Sequence, residues 1–415
     1  LTKVEDPQSH NGAERGEYDP KWNSSDLLHT FHEFKYMKSV PTGRARKECW
    51  QMLCERSGAG LQFLTVYFNC LRSYMYIPDG WQTSEGIQLD KQNGKEGTKG
   101  IIMINLLCPL GKAFFKLVQQ DLPEKPFHFA YGFYKNRRRE QPLLIHHAVA
   151  GRIRQHASDL TQREKSKWSF TTSMRDISNA FPSLSHASMD STLQGEDTIN
   201  QDKKDLTTKM SQLLRHRYCH LNMSISTNQG QSLMIRPGCG GAQGDVGMPT
   251  LFRQTYEPVL EEWQTAKRDQ LEGFLISKDP LTQQMIDVSV TVYADDVKEI
   301  NMVQTAEEAI EVLMQSTNLL NEGILSLGLK QNDHKAEHVP SFLGMGHEKH
   351  TREFAILLSE KQMGESKSVA RYLGNYCAYN QSTKVTIQTR IYKGKEAYYA
   401  LGRVWKTQID LPIRR

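Results

Sequence analysis

The chain has 415 residues, and 52 Lys and Arg against 47 Asp and Glu give it a formal net charge of +5. This length excludes a peptide or a single small binding module and is typical of two or three packed lobes. The mild basic excess fits a polyanionic partner, although many ordinary enzymes share it. With 38% hydrophobic residues, the chain can build a core.

The pattern of apolar residues and cysteines excludes two further classes. The sequence has no run of about 18 apolar residues, and its N-terminal residues lack the apolar stretch of a signal peptide. We therefore expect an intracellular chain without a membrane partner, and the pattern does not distinguish nucleus from cytoplasm. The seven cysteines are scattered at irregular spacing, which predicts reduced thiols rather than a disulfide framework.

The first part of the chain predicts a leader, a helical extension and a strand-containing lobe. Residues 1–45 are rich in polar side chains and predict a poorly ordered leader. Residues 46–75 carry apolar side chains at helical spacing and predict an N-terminal helical extension, divided by glycines. The apolar run IIMINLL at 101–107 predicts a buried strand. Residues 131–156 place a basic loop before an amphipathic helix.

From residue 169 onward the pattern is typical of a β-α-β-β-α-β arrangement in the α+β class. The strand SFTTSM is followed by helices, the strand HLNMSIST, a glycine-rich loop, a helix and the hairpin VSVTVYADDVKEINMV. Pro258 predicts a kink or an early end in the helix before that hairpin. Thr305 and Glu308 form a capping box that begins the last helix of this region, and Gly328 ends it.

Three aspartates are the candidate catalytic groups. Asp295 and Asp296 lie between two β-rich runs, where a tight hairpin turn would lift both out of the ladder. Asp176 ends the strand SFTTSM. Carboxylates that converge from adjacent strands could hold a pair of Mg²⁺ ions, and phosphoryl transfer is the natural use of such a pair. The competing interpretation is that Asp-Asp is turn chemistry and that Asp176 caps a helix.

Several motifs in a fixed order resemble those of one known family. The strings DISNAFPS at 176–183, GGAQGDVGMPTLF at 240–252 and YADD at 293–296 resemble the first three palm motifs of reverse transcriptases of non-LTR (LINE-type) retrotransposons. The string LSLGLKQNDHKAE resembles the fourth motif, and RYLG at 371–374 resembles the primer-grip turn. The likeness covers about residues 45–415.

This resemblance implies a right-hand polymerase fold and RNA-directed DNA polymerase activity. Fingers would span 76–168, a palm 169–375 and the start of a truncated helical thumb 376–415. The palm would be a ferredoxin-like sheet with helices on one face. The partners would be an RNA template, a DNA primer or target and deoxynucleoside triphosphates, and no obligate protein partner is implied.

The family's catalytic and nucleotide-binding roles can be carried over residue by residue. Two Mg²⁺ ions, with Mn²⁺ as an alternative, would be held by the three aspartates Asp176, Asp295 and Asp296. Lys335 would protonate the leaving pyrophosphate, and Phe181 would be the steric gate that excludes a ribose 2′-hydroxyl. The remaining nucleotide-binding candidates are Gln243, Gly244, Lys91 and Lys99.

Nucleic-acid contacts are expected from two short segments. The basic run in YGFYKNRRRE resembles a finger segment that binds nucleic-acid backbone, whereas a solvated basic loop is the ordinary interpretation of such a run. The candidates in these two segments are Arg137, Arg138, Arg139, Tyr372, Leu373 and Gly374.

Two positions depart from the family pattern and leave rival functions open. Where the family carries an arginine that clamps the triphosphate, this chain offers only Lys99, which lacks a bidentate fork. Arg175 stands where the family has an apolar or aromatic residue. Both changes are compatible with a catalytically inactive remnant that only binds nucleic acid. An RNA-templated RNA polymerase, which Phe181 disfavours, and a metal-dependent nuclease built on the same carboxylates are two further rivals.

Overall fold

The computed structural model describes most of the chain, namely residues 2–3, 18–90, 100–121, 126–199, 204–226, 231–242, 244–271, 275–278, 283–380 and 382–400. It contains separate sheets and helices, in agreement with the predicted α+β class. Within these residues, no helix is long and apolar enough to cross a membrane. The predicted leader outside 2–3 and 18–45, and the predicted thumb beyond residue 400, lie outside the described residues.

The chain divides into two compact units that interleave along the sequence. The first unit comprises residues 1–127, 177–265 and 319–330. The second unit comprises residues 128–176, 266–318 and 331–415. Neither unit therefore coincides with one of the predicted segments.

The elements follow one another in mixed order along the chain. Up to residue 127 they are β1 (Thr2–Lys3), α1 (Ser24–Glu33), α2 (Lys47–Arg56), α3 (Gly58–Ser73), β2 (Tyr76–Ile77), β3 (Thr83–Asp90), β4 (Ile101–Leu106) and α4 (Pro109–Gln120). Up to residue 270 they are α5 (Glu140–Ser158), α6 (Gln162–Lys165), β5 (Phe170–Arg175), α7 (Ala180–Ser183), α8 (His186–Ile199), α9 (Lys204–His220), β6 (Asn222–Ser226), β7 (Ser232–Ile235) and α10 (Met248–Gln270). The remainder are β8 (Ile276–Lys278), β9 (Met285–Asp287), β10 (Val290–Tyr293), β11 (Asp296–Met302), α11 (Ala306–Ser326), β12 (Glu337–Ser341), α12 (His347–Glu360), β13 (Glu365–Ser366), β14 (Val369–Tyr372), β15 (Asn375–Ala378) and α13 (Lys384–Ala400).

The predicted disorder of residues 1–45 is wrong where α1 lies. Asn23 accepts a hydrogen bond from the backbone of Asp26, and the Asp26 side chain accepts one from the backbone of Asn23, so a capping box begins this helix. Leu27 and Phe31, four residues apart, are both buried. The polar composition of residues 1–45 as a whole concealed this short amphipathic helix. Helices α2 and α3 lie within the helical extension predicted over 46–75.

A four-stranded sheet lies in the first unit, in the order β4-β3-β6-β7. Strand β3 pairs antiparallel with β4 and parallel with β6. The parallel register places Thr83 opposite Asn222, so a strand assigned to the palm is hydrogen-bonded to a strand assigned to the fingers. The predicted boundary at 168/169 therefore does not separate two sets of strands.

The second unit contains the five-stranded sheet β10-β11-β5-β12-β13. Strand β5 is antiparallel to β11 on one side and to β12 on the other. The first strand of the β-α-β-β-α-β series thus lies between the third and the fourth, as expected of the split arrangement. The ferredoxin-like order of this sheet is confirmed.

Helices α10 and α11 of the predicted palm cover one face of this sheet, and α5, from the segment predicted as fingers, covers the other. On one face, Arg175 of β5 contacts Thr317 of α11, and Glu299 of β11 contacts Lys267 of α10. On the opposite face, α5 packs through a hydrophobic cluster that contains Ala150, Ile153, Phe170 and Ile300. Every residue of β5 is buried, because the strand lies between two layers.

One helix boundary differs from the prediction because tertiary contacts outweigh a local signal. Helix α10 continues past Pro258 to Gln270, so the early end is wrong. Buried Tyr256, Leu260 and Trp263 on both sides of the proline hold the helix in place despite the missing N–H donor. In the segment predicted as the start of the thumb, β15 extends to Ala378 and pairs with β14, and the helix α13 begins at Lys384.

A buried ion network joins β5 and β11. Arg175 Nη2 lies 2.9 Å from Glu299 Oε2, and Arg175 Nη1 donates to Thr317 Oγ1 at 2.6 Å. Lys267 forms a second ion pair with Glu299, whose side chain is 0% exposed. Burial would raise the pKa of the Glu299 carboxyl, but the charges of Lys267 and Arg175 outweigh it and hold this pKa well below its usual range. Arg175 is therefore a paired core residue.

Replacing Glu299 with leucine is expected to lower the free energy of unfolding by about 3–5 kcal/mol, because Arg175 and Lys267 lose their buried counter-ion. Urea unfolding measures the loss. Lys349→Ala is the matched control, since this lysine pairs with Glu353 on the surface and its removal should cost less than about 1 kcal/mol. If both variants lost the same small amount of unfolding free energy, that result would contradict a stabilising network.

Candidate active site

The YADD string forms a tight hairpin in the second unit. Tyr293 pairs with Asp296 across the antiparallel strands β10 and β11, so Ala294 and Asp295 form a two-residue turn. Ala294 has a φ of 60°, in the left-handed region that non-glycine residues rarely adopt. The predicted hairpin is confirmed, and it places two consecutive carboxylates at the end of the sheet.

Asp176 lies at the same end of the sheet. It follows β5 directly, and the register places its neighbour Arg175 opposite Val297, the residue after Asp296. The Asp176 carboxylate accepts hydrogen bonds from Lys335 Nζ at 2.9 Å and from Asn332 Nδ2 at 3.4 Å. The backbone carbonyl of Asp176 accepts a further bond from the Asn332 N–H at 2.8 Å. Adjacent strands thus bring the three predicted aspartates and Lys335 together.

The electrostatics of these carboxylates favour a cation. Burial raises the pKa of Asp295, and the charge of Asp176 raises it further. Burial, followed by the charges of Asp295 and Asp176, raises the pKa of Asp296 to about 6. Lys335 opposes both shifts only in part. Like charges close together disfavour ionisation, and a bound cation would relieve that repulsion.

The donor chemistry fits Mg²⁺, although the carboxylates do not surround a common point. Carboxylate oxygens are the hard ligands that Mg²⁺ and Mn²⁺ prefer. In the part of the chain that the structure describes, no group of three or more His, Cys, Asp or Glu side chains is arranged to hold a metal ion. The Asp176 carboxylate is bound instead by the ammonium of Lys335. The residues therefore fit the ion by charge and donor type.

Gly132 is a site residue that the sequence did not indicate. The segment before it lies along β10, with Val292 N–H donating to Phe129 O and Tyr131 N–H donating to Val292 O, both at 2.8 Å. A Cβ atom on Gly132 would collide with the backbone nitrogen of Ala294 in the YADD turn. The glycine permits this close approach. Its only sequence signal was its place between aromatic residues in YGFY.

The three predicted nucleic-acid-binding arginines have different environments. Arg137 donates to the carbonyl of Ala130, and its guanidinium lies 4.6 Å from the centroid of the Tyr134 ring. It therefore holds its own loop together. Arg138 and Arg139 are exposed, and Arg139 Nε lies 3.3 Å from Glu140 Oε1. These two guanidinium groups remain accessible to a polyanion.

The RYLG segment is the turn of the hairpin β14–β15. Leu373 and Gly374 have φ values of 49° and 82°, as the two central residues of a type I′ turn require. Tyr372 is only 3% exposed, so the prediction that it contacts nucleic acid directly is wrong. Its ring packs in the core because side chains alternate across a strand. Leu373 is half-buried, and Gly374 is exposed.

The glycine-rich loop in the first unit is held by a buried ion pair that the sequence analysis missed. Arg217 donates to Asp245 Oδ2 through two nitrogens, at 3.2 and 3.1 Å. Asp245 Oδ1 accepts the Gly247 N–H at 3.1 Å. Gly244 has a φ of 105°, which only glycine adopts readily. The position of a charged residue directly after Gln-Gly was the available signal.

Phe181 lies in the first unit, in the short helix α7. Asn179, two residues before Phe181, has a φ of 47° and begins this helix. The Phe181 ring is half-buried, with its centroid 4.7 Å from that of Phe252. The nucleotide-binding predictions for Lys91, Lys99 and Gln243 lie outside the described residues.

The chain was compared with protein families, curated proteins and solved structures. No protein-family model and no curated protein matches the chain. The structure is similar to that of an apo telomerase from Candida tropicalis truncated from its C-terminal domain, with a TM-score of 0.44 and 10% sequence identity. The match covers 73% of this chain and 54% of the telomerase chain. A function must therefore be inferred from the residues of the site itself.

Gly132→Ala is expected to lower the free energy of unfolding by about 1–3 kcal/mol, because the new methyl group forces the YADD turn and the segment before Gly132 apart. Gly151→Ala is the control, since a Cβ at this position in α5 meets no atom within 4 Å. Its expected effect is a gain of up to about 1 kcal/mol. Chemical denaturation of both variants measures the difference. An unchanged free energy of unfolding in Gly132→Ala would contradict the close approach of Gly132 to the YADD turn.

Proposed function

We propose that the chain is the reverse-transcriptase region of a non-LTR (LINE-type) retrotransposon, an RNA-directed DNA polymerase. The observation that carries the proposal is the YADD hairpin beside Asp176, because adjacent strands bring the three aspartates to one end of a ferredoxin-like sheet. The raised pKa values of Asp295 and Asp296 support a site built for cations. The right-hand division into fingers, palm and thumb belongs to this proposal.

The proposed cofactor is Mg²⁺, two ions per site, with Mn²⁺ as an alternative. When bound, such a pair supplies activation of an attacking hydroxyl and stabilisation of charge on a leaving phosphate oxygen. Asp176, Asp295 and Asp296 would hold it through their carboxylate oxygens. Proton competition at Asp296 would weaken this binding below a pH of about 6.

The other residues of the chain would bind and orient the substrates. Lys335, 66% exposed and 2.9 Å from Asp176, would give a proton to departing pyrophosphate. The Phe181 ring would exclude a ribose 2′-hydroxyl. Exposed Arg138 and Arg139 would bind nucleic-acid backbone, and the loop around Gly244 would line the nucleotide site.

A catalytically inactive remnant that binds nucleic acid is the second candidate. The observation that favours it is the ion pair between Lys335 and Asp176, which occupies one of the three carboxylates. Arg175 does not support an inactive remnant, because its guanidinium is paired with Glu299 and hydrogen-bonded to Thr317. Restoring an apolar residue at 175 would leave part of that network unpaired.

Primer extension tests the two candidates directly. With an RNA template, a DNA primer, Mg²⁺ and deoxynucleotides, the chain should extend the primer, and the double variant Asp295→Asn, Asp296→Asn should not, because it loses the carboxylates that hold the ions. Omitting Mg²⁺ should also stop extension. The double variant must still capture template and primer in a filter-binding assay.

Each remaining outcome has a defined meaning. Capture without extension by the unmodified chain would favour the remnant. Degradation of the template without nucleotides would indicate the nuclease. Extension that survives the double substitution would refute the assignment of the site.

Phe181→Ala should admit ribonucleotides, because removal of the ring opens the space of the 2′-hydroxyl. We expect the preference for deoxynucleotides, measured as a ratio of kcat/KM values, to fall by at least about tenfold, a change of about 1.4 kcal/mol in discrimination. Phe252→Leu is the matched control, because it alters the ring that packs on Phe181 and keeps the proposed gate. Unchanged sugar selection in Phe181→Ala would remove the gate assignment.

A further inference from the structure

Lys298 is a buried lysine with no role in the chemistry described above. It lies on β11, two residues after Asp296, and is 1% exposed. Among the residues that the structure describes, its Nζ atom has no hydrogen-bond partner. A buried ammonium group without a partner destabilises a fold, and a methionine or leucine would fill the same space without that cost. Such a violation of local rules is typical of functional positions.

The ammonium of Lys298 lies over the ring of Tyr372. The Nζ atom is 4.3 Å from the ring centroid, which is cation–π geometry. Tyr372 is the last residue of β14 and directly precedes the Leu373–Gly374 turn. The contact therefore joins the strand that begins with Asp296 to the turn that resembles a primer grip.

The surroundings of Tyr372 make this contact a stiff connection. Tyr372 belongs to a buried cluster formed by Leu143, Met174, Val339, Ala370, Tyr372 and Cys377. On β11, Asp296 and Lys298 project from the same face of the sheet, because side chains alternate along a strand. The Asp296 carboxylate and the ammonium that contacts Tyr372 are thus neighbours on one rigid strand.

The turn itself is anchored on a second side. The backbone N–H of Arg371 donates to Glu337 Oε2 of β12 at 3.2 Å. Together with the ring contact, this bond fixes the turn between β11 and β12. Its exposed tip at Gly374 remains accessible.

We propose that Lys298 is a positioning residue that holds the Arg371–Gly374 turn at a set place relative to Asp295 and Asp296, so that the 3′ end of a nucleic-acid primer bound by the turn meets the carboxylates. The inference rests on the proposed polymerase function and extends it. Lys298 itself does not touch the substrate. Its effect passes through the Tyr372 ring.

The test compares four variants in steady-state primer extension: Lys298→Met, Tyr372→Leu, their combination and Tyr372→Phe. We expect Lys298→Met and Tyr372→Leu each to lower kcat by about 10- to 100-fold, because a misplaced primer end reacts slowly. The KM for deoxynucleotide should change little. Tyr372→Phe keeps the ring face and should retain kcat. The double variant should be no slower than the slower single variant, because both remove one contact.

Thermal unfolding separates positioning from a structural role. Lys298→Met removes a buried amine that has no hydrogen-bond partner, so its Tm should equal or exceed that of the unmodified chain while kcat falls. A lower Tm with a parallel loss of activity, wild-type kcat in Lys298→Met, or losses that multiply in the double variant would each overturn the inference. If the unmodified chain does not extend a primer, the proposed function fails and the inference fails with it. If the unmodified chain extends a primer and Lys298→Met keeps the same kcat, only the inference is refuted.

Discussion

The pairing of β5 with β11 is the constraint on which the rest of the second unit depends. Its register places Arg175 opposite Val297, and this single alignment brings Asp176 beside Asp296 at one end of the sheet. The same alignment allows Arg175 to reach Glu299 on one face. A slip of one residue would turn the side chains of β11 to the other face and would separate both pairs. The buried ion network therefore opposes any register other than the one that forms the site.

The sequence was sufficient to predict the parts of this site that depend on local chain geometry. Two β-rich runs around Asp295 and Asp296 predicted the hairpin, and the order of elements predicted the sheet. Both predictions hold because the residues that form a hairpin turn are adjacent in the sequence. Helix α1 was missed because a polar composition averaged over a long segment concealed Leu27 and Phe31.

The features that could not be predicted depend on contacts between residues distant in sequence. Gly132 matters because the segment that carries it lies against the turn at Ala294, which no local pattern indicates. Arg175 looked anomalous until its partner Glu299 was located. Tyr372 was assigned to nucleic acid, yet the alternation of side chains along β14 turns its ring into the core. A sequence motif identifies a segment, whereas the tertiary structure decides which of its side chains reach a ligand.

The place of β5 in the middle of its sheet has a consequence for how the chain folds. Both edges of β5 are covered by strands that are synthesised much later, since Arg175 pairs with Val297 and Met174 pairs with Glu337. During translation the fully buried segment FTTSMR therefore emerges with neither neighbour present. Non-local pairing of this kind slows folding and leaves unpaired strand edges exposed to other chains. We expect nascent chains that end before β11 to be prone to aggregation, and chaperone binding would be most needed over this interval of synthesis.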